Sequence, residues 1–183
     1  MSRLIIGLTG LAGSGKSTVA DYFVRKHGFE EFAFATPLKQ GLALMLRDLG
    51  VSLQDFEDPK RKGRLIEAIN TTPRYLMQTL GTEWGRNLVR GDLWCQILEA
   101  RVKQSSAERI VISDVRFQEE VDLIKQLGGY IWSVHRPGVA ALARHASEAG
   151  ISFAPDAVIV NEGTLLDLES KVLENLFYLR AQL

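Results

Sequence analysis

Two spacings of apolar residues alternate along this chain. Leu4-Ile5-Ile6-Gly7-Leu8 and Ile110-Val111-Ile112-Ser113-Asp114 are short, nearly continuous apolar runs, the pattern of parallel strands covered on both faces, the second ending in a carboxylate. Tyr130 to His135 and Ala157-Val158-Ile159-Val160 read as further strands, and Phe29 to Phe34 alternates roughly apolar and polar. Between them the period lengthens. Thr18 to Lys26 carries Val19, Tyr22 and Phe23 at helical spacing before Gly28, Gln118 to Leu127 stops at Gly128-Gly129, and Thr164 caps a closing amphipathic helix to about Gln182. Strand, helix, strand succession implies right-handed parallel crossovers. The pattern therefore predicts a three-layer α/β/α domain with a five-stranded parallel sheet, its ligand lying outside the carboxyl ends of the strands.

Residues 37–95 do not fit that alternation and read as a helical insertion in a single domain spanning 1–183. Leu38, Leu42, Met45, Leu46 and Leu49 share one helix face closed by Gly50. Residues 51–64 turn polar around the run Lys60-Arg61-Lys62, which predicts a mobile surface segment. Thr72-Pro73 starts a helix expected to run to Leu80 before Gly81, with Arg74 and Gln78 on one face, and another helix is expected from Asp92 through Val102. After Arg136-Pro137-Gly138, a short helix over Val139 to Ala146 carries Arg144 and His145, and 136–150 is expected to form a lid.

Composition narrows the classes. The 183 residues are 46% hydrophobic and 24% charged, typical of a soluble globular protein with one well-buried core. With 22 basic and 22 acidic residues there is no overall field for nucleic acid, so any polyanion must meet a local cluster. Cys95 alone excludes an intramolecular disulfide and a cysteine-rich metal site. No run of about 18 apolar residues occurs and the start lacks a cleavage-site pattern, which predicts no membrane association and a cytoplasmic location.

The candidate chemistry is concentrated in Gly10-Leu11-Ala12-Gly13-Ser14-Gly15-Lys16-Ser17, which fits the phosphate-binding loop pattern and stands between a strand and a helix. Glycines let backbone amides converge on a triphosphate, Lys16 adds a mobile charge at the β/γ-phosphates, and the following helix directs its positive end at the same anion. Gly13, Ser14, Gly15, Lys16, Ser17 and Thr18 are thus the expected ATP site. Ser17 and Asp114 are the expected Mg²⁺ ligands, Asp114 because it closes a buried strand. Phosphoryl transfer also needs cations around the moving group and the acceptor, and arginine binds phosphate oxygens in pairs. Arg74, Arg86, Arg116, Arg136 and Arg144 all flank expected strand ends or lie in the insertion.

A wider set of segments is more selective than the loop. Phe32-Ala33-Phe34-Ala35-Thr36-Pro37-Leu38-Lys39, Arg74 to Glu83, Arg86 with Asp92 and Trp94, Asp114-Val115-Arg116-Phe117, Arg136-Pro137 and His145-Ala146-Ser147-Glu148 resemble the deoxynucleoside monophosphate kinases of tailed bacteriophages and prophages. The resemblance runs in order from the loop to Asn161, with one departure at Thr36, where Asp is expected in many relatives. It implies transfer of the ATP γ-phosphate to a deoxynucleoside 5′-monophosphate. It further implies that Lys16, Arg116, Arg136 and Arg144 act catalytically, and that Arg74, Gln78, Arg86, Trp94 and Asp114 serve the acceptor. Trp84 and Trp94 are each candidates for base stacking or for core packing. A dephospho-coenzyme A kinase shares the first strand and loop, and a nucleotide-binding regulatory module would share the loop. Neither accounts for Arg74 to Glu83 or for the arginine-rich insertion. The sequence leaves both monomer and homodimer open.

Overall fold

A computed structural model describes residues 3–139 and 153–181 of the chain. Five strands, β1 (Leu4–Thr9), β2 (Glu30–Phe32), β3 (Arg109–Ile112), β4 (Tyr130–His135) and β5 (Ala157–Val160), form one sheet in the order β2-β3-β1-β4-β5. Every pairing is parallel, with Gly7 of β1 opposite Ile112 of β3 and Ile131 of β4. The fold class expected from the apolar runs is the one observed. The chain turns one way from β1 to β2 and β3 and the other way to β4, so the switch point of the doubly wound sheet lies at the carboxyl end of β1.

Alternation along β1 separates the two faces. Leu4, Ile6 and Leu8 pack with Val19, Ala20, Tyr22 and Phe23 of α1 (Lys16–His27) and with Leu168, Val172, Leu176 and Leu179 of the last helix, Leu165–Ala181. On the opposite face, a Cβ on Gly7 would stand 2.6 Å from Cδ1 of Ile124, so glycine here lets the helix Gln118–Gln126 approach the central strand. The last helix begins where expected, with the Thr164 and Asp167 side chains bonding each other's backbone amides, and Gly28 ends α1 in the left-handed region at φ 67°.

The chain divides into two compact units, one comprising Met1–Ala33 with Arg101–Leu183 and holding the sheet, the other Phe34–Ala100. In the second, α2 (Thr36–Met45) stops earlier than its apolar stripe suggests, and a 3-10 turn, Arg47–Leu49, carries the chain to Gly50. The segment 51–64, expected to be a mobile surface segment, begins instead with a short helix. Leu53–Glu57 forms this helix, α3, because the Asp55 carboxylate accepts from both the amide and the hydroxyl of Ser52 (2.8 Å each) and Phe56 is fully buried.

A second correction concerns Gly81. The helix α4 (Pro73–Gln78), opened by Thr72 accepting from the Tyr75 amide as expected, continues directly into an eleven-residue π-helix, Thr79–Val89. At the junction the Thr79 hydroxyl donates to the carbonyls of Tyr75 and Leu76, the kind of side-chain insertion that loosens a helical ladder. Gly81 is not among the positive-φ glycines and so does not terminate anything. The helix α5 (Leu93–Gln104) follows, and the helices Gln118–Gln126 and Leu165–Ala181 become α6 and α7.

Candidate active site

The sheet unit presents its donors at the switch point. Gly10, Gly13 and Gly15 have φ of 139°, 82° and 110°, and two of them are also sterically required. A Cβ on Gly10 would lie 2.2 Å from the Val134 carbonyl oxygen, and one on Gly15 would lie 2.5 Å from Nδ2 of Asn161. With Gly15 as cap and no acidic residue in its first turn, α1 offers its opening amides to an anion. Lys16 Nζ donates to the carbonyls of Gly10 (2.6 Å) and Leu11 (2.9 Å), so the ammonium lies folded over the loop it belongs to. Ser14 is 1% exposed and its hydroxyl has no hydrogen-bond partner among the described residues, whereas Ser17 and Thr18 are exposed.

Asp114 stands beside this loop. It follows β3, the neighbour of β1, and the next residue, Val115, donates its amide to the Leu8 carbonyl at 3.1 Å. β3 ends at Ile112, earlier than the apolar run suggests; the Ser113 amide still donates to the Phe32 carbonyl of β2 (3.1 Å), a last rung of that parallel ladder. Arg116 is exposed, and its amide is held by the Glu120 carboxylate at 2.7 Å. Arg136 is exposed after β4, in a turn whose Val139 reaches to 4.0 Å from where a Cβ on Gly13 would be. Arg144 lies outside the described residues, as do His145, Ser147 and Glu148.

The remaining expected residues belong to the helical unit. Arg74, Gln78 and Arg86 lie on one continuous helical run from Pro73 to Val89; Arg74 and Gln78 are exposed, and Arg86 Nη1 donates to the Gly91 carbonyl at 3.3 Å.

A family model described as deoxynucleotide monophosphate kinase matches residues 50–172 of this chain. The chain belongs to that family. Enterobacteria phage T4 deoxynucleotide monophosphate kinase is 33% identical over 236 aligned residues, covering 94% of this chain and 98% of its own. A protein of Acanthamoeba polyphaga mimivirus, provisionally named deoxynucleotide monophosphate kinase, is 34% identical over 190 residues, covering 93% and 94%. Among solved structures, TT1252 from Thermus thermophilus superposes with a TM-score of 0.57 at 18% identity over 97% of this chain and 98% of its own, a likeness of fold.

Two residues of this kinase acquire a physical role that spacing did not reveal. Asn161, just past β5, donates from Nδ2 to the Ser14 carbonyl at 2.9 Å, and its own amide bonds the His135 carbonyl at 2.7 Å. It ties the phosphate loop to the strand beside it, and its only sequence signal was a polar residue at the carboxyl end of a strand. Trp94 is 7% exposed and its indole N–H donates to the Gly81 carbonyl at 2.8 Å, with Gly85 flush against the ring. Of the two roles open from sequence, core packing is the one its burial favours, while Trp84 is 47% exposed. Cys95 is buried, as its place beside Trp94 suggests. Among the described residues no helix is long and apolar enough to cross a membrane, and no cluster of three or more His, Cys, Asp or Glu could hold a metal unaided.

Proposed function

We propose that this kinase transfers the γ-phosphoryl group of ATP to a deoxynucleoside 5′-monophosphate, giving the diphosphate. The observation that carries the reading is the phosphate loop at the switch point, with Asp114 beside it, in a chain of this family. Gly13 to Thr18 bind the triphosphate through loop and helix amides. Lys16 exchanges the carbonyls of Gly10 and Leu11 for phosphate oxygens, a substitution that gains charge assistance. Ser17 and Asp114 are hard oxygen donors, and so few protein ligands suit Mg²⁺, which keeps several waters and takes the rest from phosphates. When bound there, the ion neutralises charge on the β- and γ-phosphates.

Arg116, and Arg136 with Arg144 beyond it, stabilise charge on the transferring group, since this chemistry is mostly positioning and electrostatics. Arg74, Gln78 and Arg86 bind the acceptor, with Asp114 contributing from the loop after β3. Trp94 supports that side by holding the π-helix, and Trp84 is the tryptophan available to a base. We place the reaction in the cytoplasm, that of the host for a viral kinase, with no requirement for nucleic acid or membrane.

The test is incubation with ATP, Mg²⁺ and each of dAMP, dCMP, dGMP and dTMP, and separately with dephospho-coenzyme A, followed by separation of products. Diphosphate from at least one deoxynucleotide is expected. Its absence from all four, with phosphorylation of dephospho-coenzyme A, would overturn the proposal.

A further inference from the structure

Glu120 is 2% exposed, the one acidic residue among the described ones that is buried in the sheet unit. Its Oε2 accepts from two successive backbone amides, those of Arg116 (2.7 Å) and Phe117 (3.1 Å). Burying a carboxylate is costly unless hydrogen bonds replace water, so something must be gained from placing it there. Capping α6 does not account for it. Two other helices of this chain, α3 and α7, are capped by Asp55 and Asp167, which lie partly or wholly exposed and accept the amides of their own N-cap residues. Glu120 likewise accepts the amide of its N-cap residue, Phe117, then reaches one residue further, to the Arg116 amide.

That second bond fixes the chain between two anchors. On one side the Val115 amide is fastened to the Leu8 carbonyl at the end of β1, where the phosphate loop begins. On the other, Glu120 fastens the Arg116 amide and, past the Arg116 α-carbon, the Phe117 amide. The backbone of Arg116 is therefore held from both directions, while its side chain is exposed and turned out of the fold.

We propose that Glu120 is a positioning residue for phosphoryl transfer, its buried carboxylate setting the Arg116 backbone and so the reach of the Arg116 guanidinium. The proposal rests on the role given to Arg116 above. Glu120→Gln keeps the side-chain volume and one oxygen able to take the place of Oε2 but loses the charge that strengthens both bonds, whereas Glu120→Ala leaves two amides without an acceptor. Measured with ATP and whichever of the four deoxynucleotides is turned over fastest, Glu120→Gln lowers kcat about tenfold and Glu120→Ala about a hundredfold, in line with the sensitivity of such reactions to misplacement by an ångström. KM for ATP stays within about twofold of wild type, because the loop that binds ATP keeps its own anchors. The deciding measurement is a double-mutant cycle with Arg116→Ala. A side chain acting through Arg116 has nothing left to position once the guanidinium is gone, so Glu120→Gln changes kcat less than about twofold in that background.

Glu120→Gln is the informative variant should Glu120→Ala not fold, which thermal unfolding reports. A lowered Tm with unchanged kcat, or an equal loss of kcat with and without Arg116, would show a purely structural cap and overturn the proposal. Wild-type turnover by Arg116→Ala would remove the role of Arg116 and this proposal with it, while diphosphate formation by the parent enzyme left the proposed reaction standing.

Discussion

Gly85 offers a direct test of how the π-helix is held. It is buried where Thr79–Val89 meets the ring of Trp94, and a Cβ there would lie 2.6 Å from Cζ2 and 2.8 Å from both Cε2 and Nε1. In an open helix, Gly→Ala gains about 0.5–1 kcal/mol from reduced backbone entropy. Here the obstacle is a rigid indole, and it cannot slide away without surrendering its 2.8 Å bond to the Gly81 carbonyl. Overpacking of this kind costs about 1–3 kcal/mol, so the expected balance for Gly85→Ala is a loss of about 1–2 kcal/mol. For a chain of this length that lowers Tm by about 2–8 °C. The assay is thermal unfolding followed by circular dichroism, paired with initial rates against acceptor concentration. Because Arg86 is the next residue, KM for the deoxynucleotide should rise while KM for ATP does not. Trp94→Phe, which shortens the ring system, should relieve part of the penalty when combined with Gly85→Ala. A Gly85→Ala protein as stable as wild type, or more so, would refute the packing argument.

Lys16→Ala should leave Tm within a few degrees of wild type and lower kcat by at least about a hundredfold, as removal of a preorganised charge does; near-normal rates in the folded variant contradict its role. Arg74→Ala should raise KM for the deoxynucleotide at least about tenfold with ATP binding retained by calorimetry, and equal weakening of both ligands refutes the acceptor assignment. Burial and, after it, the charges of Arg180 and Arg109 hold the His27 imidazole below its ordinary pKa of 6.5. The unfolded chain then binds the proton more readily, so stability declines as pH falls below 6.5. His27→Gln should flatten unfolding free energy between about pH 6.5 and 5, above the carboxylate range, and an unchanged slope in denaturant titrations refutes this.

The centre of the sheet was legible because β1 and β3 are buried on both faces, and Leu4 to Leu8 or Ile110 to Ile112 have no other comfortable environment. Ends were harder. β3 stops two residues before its apolar run and carboxylate would suggest, where its neighbour β2 also ends at Phe32, a limit set by another strand that no local pattern encodes. Gly81 was misleading for a related reason. A glycine ends a helix only if it adopts a left-handed φ, and at Gly81 the Trp94 indole takes the carbonyl while the helix widens around Thr79. The phosphate loop was legible as a motif, because its glycines, lysine and serine are chemically committed. Asn161 and Glu120 were not. Each acts through a backbone atom, of Ser14 in one case and of Arg116 in the other, and main-chain partners leave no signature in residue spacing.

The helical unit, Phe34–Ala100, is one uninterrupted stretch of sequence, whereas the sheet is stitched from both sides of it. Where the stretch leaves and rejoins, the Arg101 guanidinium covers the Phe32 ring at 5.4 Å, so its two ends are brought together. On a ribosome this imposes a schedule. β1 emerges before the helical stretch, yet its partners β3 and β4 are synthesised about a hundred residues after it, so an apolar strand waits with both edges open. The helical stretch needs only its own neighbours and can compact during that wait, shortening the loop that β1 and β3 must close. Slowing translation after Ala100 should therefore do little for the helical unit and should prolong the interval in which the nascent β1 is open to chaperones or aggregation.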